Sequence, residues 1–366
     1  SSDMFVFTGS SDFVGSINGM AGNDTLTFAG YDSARDFVLT ALGSLGGFNL
    51  SVTGLGVNFS NIDILVGTNF TDSLTGMESG TWNIKGASYA YTATNVLTFS
   101  AIETLNGGSG VDTFVMDDNA VFAGTLNGAG GTDLLDYSGW NSGVTVDLST
   151  GAATGVDGIA GIENVTGGSG NDDITGDAND NILSGGPGDD IFRFLLDWGL
   201  DLVNELAGAG LDRVDFSLLA DSVTFAFSLV GVLVTAGTNR LTIGSHNAEN
   251  FFGGAGEDTL DFSDLDTTHT ITLTDQGMVD GFRGTATSIG GIFNNINQVI
   301  GSSATDDELY GLDSGGEWEF GATTTYTQVN TLTIVDAENL IAGNGPDTFH
   351  LGDDTTFTGL LNGRGG

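Results

Sequence analysis

Polar and apolar residues alternate in short runs along this chain: "TLTFAG" at Thr25, "GVTVDLST" at Gly143, "SVTFAFSL" at Ser222, "HTITLTD" at His269 and "TLTIVD" at Thr331. Alternation with β-branched and aromatic residues is the signature of strands that bury every second side chain. Many runs close on an apolar residue, then Asp, Glu or Asn, then a further apolar residue and glycine. Examples are "NIDILVG" at Asn61, "AIETLNGG" at Ala101, "GIENVTGG" at Gly161 and "NINQVIG" at Asn295. Helical periodicity is nearly absent, and "LDWGLDLVNEL" from Leu196 is the best stretch for one short helix. The pattern predicts an all-β chain whose successive turns pair in parallel.

The turns between these strands repeat. A nonapeptide G-G-x-G-x-D-x-U-x, with U a large apolar residue, reads cleanly as "GGSGNDDIT" (Gly167 to Thr175) and "GGPGDDIFR" (Gly185 to Arg193). The register between them, "GDANDNILS", carries Asn179 and Asn181 in place of Gly and Asp. Isolated copies place Asp24, Asp112, Asp133, Asp258 and Asp347 at the same position, and a weaker one, "AGAGLDRVD" at Ala207, places Asp212 there. A longer period overlies the short one. "TFVMDDNAVFAGTLNGAGGTD" from Thr113 resembles the segments from Met4 and Thr348, and the segment from Ser79 echoes that from Gly316, aligning Trp82 with Trp318 and Tyr91 with Tyr326. Such a chain reads as a window on a tandem array: one continuous solenoid over 1–366, with long units in 1–166 and 194–366 flanking a tandem in 167–193. Ser1 does not read as a natural start.

The nonapeptide has a chemical logic. Glycine supplies positive φ for a tight reversal, and the turn points several carbonyl oxygens at one spot. With the Asp carboxylate of a stacked turn, these oxygens can enclose a hard cation, and Ca²⁺ accepts six to eight of them more readily than Mg²⁺. If successive nonapeptides alternate between two sides, same-side neighbours lie two repeats apart. Asp172 and Asp190 have that spacing and would share one site, leaving Asn181 on the other side without a partner in the pattern. The bland alternative is an Asx turn, in which each Asp bonds only its own backbone. For the lone copies both readings stand.

Composition narrows the rest. With 48 Asp and Glu against 7 Lys and Arg, net charge −41, the chain lacks the cationic clusters that bind nucleic acid or anionic membranes. Such self-repulsion calls for disorder or bound cations, and 39% hydrophobic residues with 24 Phe argue against disorder. No cysteine is present, so there is neither a disulfide scaffold nor a thiolate metal site. The most apolar run, from Val223, is too short and too polar to insert in a membrane. His246, His269 and His350 are far apart and read as surface or strand residues. The cations show no clustering, no nucleophile elbow or phosphate loop occurs, and the chain is expected to be no enzyme. Trp82, Trp318, Tyr91 and Tyr326 read as packing residues, with an exposed carbohydrate platform as the alternative.

On these motifs the chain resembles the repeats-in-toxin (RTX), or hemolysin-type, calcium-binding repeat family. The resemblance is strict over 167–193 and looser elsewhere, where the long units are similar to modules of giant bacterial surface and secreted proteins. It implies a right-handed parallel β-solenoid (a β-roll or β-helix) that folds on Ca²⁺ outside the cell, usually after export by a type I system. Carried over, Gly167, Gly168, Gly170, Gly185, Gly186 and Gly188 would form the turns, with Asp172 and Asp190 as side-chain ligands. The expected role is a structural or adhesive segment of a bacterial surface protein, whose open edges admit self-association into filaments or contacts with the cell surface or carbohydrate. The alternatives are the secretion or translocation module of a secreted hydrolase, and a β-helix that binds or processes acidic polysaccharide.

Overall fold

The computed structural model describes residues 1–10, 13–86, 88–204, 210–244, 249–352 and 356–365. His246, Glu205 and Leu206 of the apolar run from Leu196, and the start of the weak copy at Ala207 lie outside them. The described residues form forty strands and no helix, as the alternating pattern requires. The helix expected from Leu196 is absent. Leu196 and Asp197 form a turn, Asp197 at φ +60°, and Leu200–Val203 is a strand with Asp201 and Val203 buried. Gly199, at φ +82°, breaks the run that would have formed the helix. No helix here is long and apolar enough to cross a membrane.

The chain divides into two compact units, Ser1–Ile174 and Thr175–Gly366. In the first, short parallel strands stack in register so that large apolar side chains form columns. Phe5, Leu26 and Leu65 align on one sheet, as do Phe114, Leu135 and Val165. On another sheet Leu74, Leu105, Leu126 and Ile159 align. The second unit repeats the device with Leu260, Val299 and Ile334, and with Leu309, Leu340 and Leu361. Each strand buries little alone, and stacking of strands supplies the core.

The expectation of purely parallel pairing is corrected at the long insertions. Gly80–Lys85, Ser88–Thr92 and Val96–Ser100 form an antiparallel meander. Its last strand pairs in parallel with Ile64–Val66 and its first with Asp112–Met116. The meander therefore adds three rungs, and its middle strand runs against the stack. Asp36–Leu42 with Phe48–Val52 and Val57–Ile62 does the same. So does Thr270–Gln276 with Phe282–Ala286 and Phe293–Ile296 in the second unit. An insertion too long for one turn can satisfy its backbone groups only by folding back on itself.

The long repeat visible in the sequence is a repeat of packing. Trp82 stacks on Phe114 (5.9 Å, 5° between planes) and Trp318 on Phe349 (5.8 Å, 8°). Tyr91 Oη accepts the Met77 N–H at 2.9 Å and donates to Ser79 O at 3.1 Å, while Tyr326 Oη accepts the Leu312 N–H at 3.0 Å and donates to Gly315 O at 3.1 Å. All four aromatic residues are fully buried, so none forms a surface platform.

Candidate metal centre

The motif aspartates sit where a turn becomes a strand, and there they join turns distant in sequence. Asp112 donates its backbone N–H to Asp133 Oδ1 at 2.7 Å, and Asp133 donates its own to Glu163 Oε2 at 2.8 Å. Asp133 O in turn accepts from the Glu163 and Asn164 N–H groups. The three-step ladder recurs as Asp3, Asp24, Asp63 and as Arg35, Asp72, Glu103 in the first unit. In the second it recurs as Asp190, Asp212, Glu249, as Val223, Asp258, Asn297 and as His269, Asp307, Glu338. The Asp, Glu or Asn of the phrase that closes each strand run is therefore the last step of a ladder. Its recurrence is legible in the sequence, whereas its partner, in another coil, is not.

Two residues before the last step the backbone is left-handed in most ladders: Asn61 (φ +53°), Ala101 (+52°), Gly161 (+56°), Asn295 (+59°) and Asp336 (+50°). A non-glycine residue held there is disfavoured by about 1–2 kcal/mol. The turn aims that residue's carbonyl at the first glycine of a neighbouring motif. A Cβ on Gly128 would overlap both Gly161 O and Asp133 Oδ2, and one on Gly19 would overlap Asn61 O and crowd Asp24 Oδ2. Gly253 has the same relation to Asn295 O and Asp258 Oδ2. These first glycines have negative φ, so close approach of oxygen atoms requires them, which corrects the expectation that positive φ is the common reason. Positive φ does apply at Gly186 (+96°) and Gly188 (+149°).

The carboxylates in these cradles are buried with incomplete hydrogen bonding. Asp24, Asp112, Asp133 and Asp258 are wholly buried, and each has one oxygen without a well-formed hydrogen bond: Oδ2 of Asp24, Asp133 and Asp258, and Oδ1 of Asp112. Burial pushes Asp133 up to about 6, with the Asp112 and Glu163 charges adding to it against the Asp112 N–H. Burial likewise raises Asp258 to about 7, partly offset by the Val223 and Gly254 N–H groups and increased by the Asp280 and Glu257 charges. Asp212 rises to about 6 and Asp112 rises, both chiefly by burial. Asp72 and Asp307 differ. Thr68 and Ser302 replace the second glycine, and their N–H and hydroxyl groups satisfy both carboxylate oxygens alongside the Arg35 and His269 N–H groups. There the hydroxyl bonds Oδ1, the oxygen that carries the ladder, and the backbone N–H bonds Oδ2, and neither aspartate lies in a glycine-rich motif.

In the tandem, Asp172 is buried in the first unit and accepts the Val144 and Gly168 N–H groups, each at 2.7 Å. Gly167 is buried beside it, Gly168 packs against Trp140 and Gly170 against the Gly143 backbone. Asp190, buried in the second unit, lies against Gly185, and its N–H bonds Asp212 Oδ1 at 2.9 Å. Asn181, which the spacing left without a stacked partner, donates its N–H to Asp201 Oδ1 at 2.8 Å. Burial, joined by the Asp180 and Asp177 charges against the Asn181 N–H, raises Asp201 to about 8, and its Oδ2 lacks a hydrogen bond. Asp201 falls in the run misread as a helix, so no glycine motif marks it. Asp347 is half-buried with neither oxygen in a well-formed hydrogen bond. His269 is buried, its ring nitrogens facing Thr267 O and Ser288 Oγ at 2.6 Å, and His350 is exposed.

Among the described residues no three His, Asp or Glu side chains gather as a metal cluster. A cation here would be held by single carboxylates together with main-chain carbonyls. At Gly19, Gly128 and Gly253 the cradles offer that set: a buried carboxylate oxygen without a well-formed hydrogen bond, beside a carbonyl aimed at the same glycine. Oxygen-only donors of this kind suit Ca²⁺.

Residues 116–249 match the family model for the Peptidase M10 serralysin C terminal. That model is the RTX calcium-binding repeat region, so this stretch, which contains the tandem, is RTX-type and its cofactor is Ca²⁺. Such regions belong to proteins secreted by type I systems, which implies an extracellular location. No curated protein matches the chain.

Proposed function

We propose that the chain is a non-catalytic structural segment of an extracellular, adhesive repeat protein, coiled as a right-handed parallel β-solenoid and held in shape by Ca²⁺. The observation that carries this reading is the set of buried carboxylates with one oxygen committed to the coil-to-coil ladder and one oxygen spare. Buried spare oxygens destabilise an apo fold, and a divalent cation removes that penalty while neutralising part of a −41 charge. Asp24, Asp133 and Asp258 are the proposed ligands that show this spare oxygen; Asp112, Asp212 and Asp347, and Asp172 and Asp190 with the carbonyl-bearing turns at Gly167, Gly168, Gly170, Gly185, Gly186 and Gly188, are proposed on the motif alone. Binding energy of this kind adds directly to folding stability.

The test is thermal unfolding by circular dichroism in chelator and at millimolar Ca²⁺. A rise in melting temperature with calcium, absent with equimolar Mg²⁺, supports the reading, and superimposable melts refute it. A second reading, a translocation module attached to a secreted hydrolase, is favoured by the peptidase-family match over 116–249. Type I export of an unrelated passenger fused ahead of this chain would support that reading.

A further inference from the structure

The two units carry the same corner twice, with one carboxylate in two different places. In the first unit the tip of the meander is closed by the Gly43 N–H donating to Gly47 O (3.0 Å) and the Leu45 N–H to Asn61 Oδ1 (3.0 Å), and Asn95 Nδ2 donates to Gly47 O (2.6 Å). In the second the Gly277 N–H donates to Gly281 O (2.9 Å), the Val279 N–H to Asn295 Oδ1 (2.9 Å) and Asn330 Nδ2 to Gly281 O (2.6 Å). The match aligns Gly46 with Asp280, Asp24 with Asp258 and Asp63 with Asn297.

The tip residue faces the last step of the ladder in both copies. A Cβ on Gly46 would lie 3.8 Å from Asp63 Oδ1. Asp280 occupies that place in the second unit, where burial and then the Glu257 charge raise its carboxyl and the adjacent Asn297 side-chain amide partly offsets them. Where the ladder ends in a carboxylate the tip is glycine, and where the ladder ends in an amide the tip is aspartate. Each corner thus keeps one carboxylate beside the motif aspartate, on a different part of the scaffold. A hydrogen-bonding role alone would not require the charge to be conserved in this way. Asp258 is wholly buried, its Oδ2 has no well-formed hydrogen bond and lies with Asn295 O against Gly253, and Asp280 Oδ1 is likewise buried and unsatisfied. Both unsatisfied oxygens belong to one corner pinned by main-chain hydrogen bonds.

We propose that Asp280, at the meander tip, supplies the second carboxylate of a divalent-cation site built on Asp258, the place that Asp63 fills beside Asp24 in the first unit. This rests on the calcium reading above and adds to it a ligand from outside the nonapeptide motif. The site joins an insertion to the stack, so filling it ties the meander tip to the coil that carries Asp258.

The test is calcium titration calorimetry on the chelator-stripped full chain, comparing wild type, Asp280→Asn and the double variant Asp280→Gly with Asn297→Asp. Charge count sets affinity at such sites, so Asp280→Asn loses one site from the stoichiometry or weakens it by about tenfold or more. The double variant, which copies the first unit, restores the site. Melting in chelator verifies folding, and there Asp280→Asn is no less stable than wild type because a buried charge has been removed. Wild-type binding with an unchanged Asp280→Asn isotherm overturns this proposal alone. A wild type that takes up no calcium overturns it together with the reading beneath it.

Discussion

Asp112 donates its backbone N–H to Asp133 Oδ1, 21 residues further on, at 2.7 Å. One oxygen of the Asp133 carboxylate thus holds two coils together while the other stays buried without a donor. The two functions separate by mutation. Asp133→Ala leaves the Asp112 N–H without an acceptor and lowers stability by about 1–3 kcal/mol with or without calcium. Asp133→Asn keeps an acceptor and discards the charge, so in chelator it is at least as stable as wild type, yet its gain from calcium is smaller. Urea unfolding of the three proteins in chelator and in calcium measures both effects, and equal calcium gains in wild type and Asp133→Asn would refute the assignment.

Gly108 and Gly363 test the reason for glycine in the turns. A Cβ on Gly108 would collide with the Met77 carbonyl, whereas one on Gly363 meets nothing within 4 Å. Gly108→Ala should cost about 1–3 kcal/mol as overpacking of a fixed backbone. Gly363→Ala should be nearly neutral, as expected of surface changes within about 0.5 kcal/mol. Equal melting temperatures for the two variants would show that the coils separate more easily than this stacking implies.

Acidity has a definite sign in the calcium-free protein. Burial holds Asp201 up at about 8, Asp258 at about 7, and Asp133 and Asp212 at about 6. An unfolded Asp titrates near 4, so these groups favour the folded state while protonated. That contribution is complete below about pH 4 and is lost as pH rises through the folded values, up to about pH 8. In chelator the melting temperature should therefore fall between about pH 5 and about pH 8.5, and Asp201→Asn should flatten the upper part of the fall. Calcium binds the ionised form, so its stabilising effect grows over the same window. A calcium-free melting temperature that rises with pH would contradict the burial of these carboxyls.

Much of the architecture was legible because its signals are local. Alternation marks strands, glycine marks turns, and Trp82 and Trp318 head the same packing unit. What escaped depends on neighbours distant in sequence. "LDWGLDLVNEL" spaces its apolar residues like a helix, yet Asp201 in its midst closes on the Asn181 N–H and the segment is drawn into a sheet. The antiparallel middle strands, such as Ser88–Thr92, look like any other strand, since pairing direction leaves no mark on the alternation. At the candidate site the motif aspartates stand out. Glu163 as the partner of Asp133, Asp201 as the partner of Asn181, and the exchange of Asp63 and Gly46 for Asn297 and Asp280 needed the coils to be aligned in space.

Anomalous diffraction from calcium-soaked crystals addresses the central claim most directly. The account predicts calcium peaks beside the spare carboxylate oxygens of Asp133 and Asp258, with main-chain carbonyls completing each shell at about 2.3–2.6 Å, and no peak at Asp72 or Asp307, whose oxygens Thr68 and Ser302 already satisfy. Maps without calcium at Asp133 and Asp258, or with calcium seated equally at Asp72 and Asp307, would contradict it.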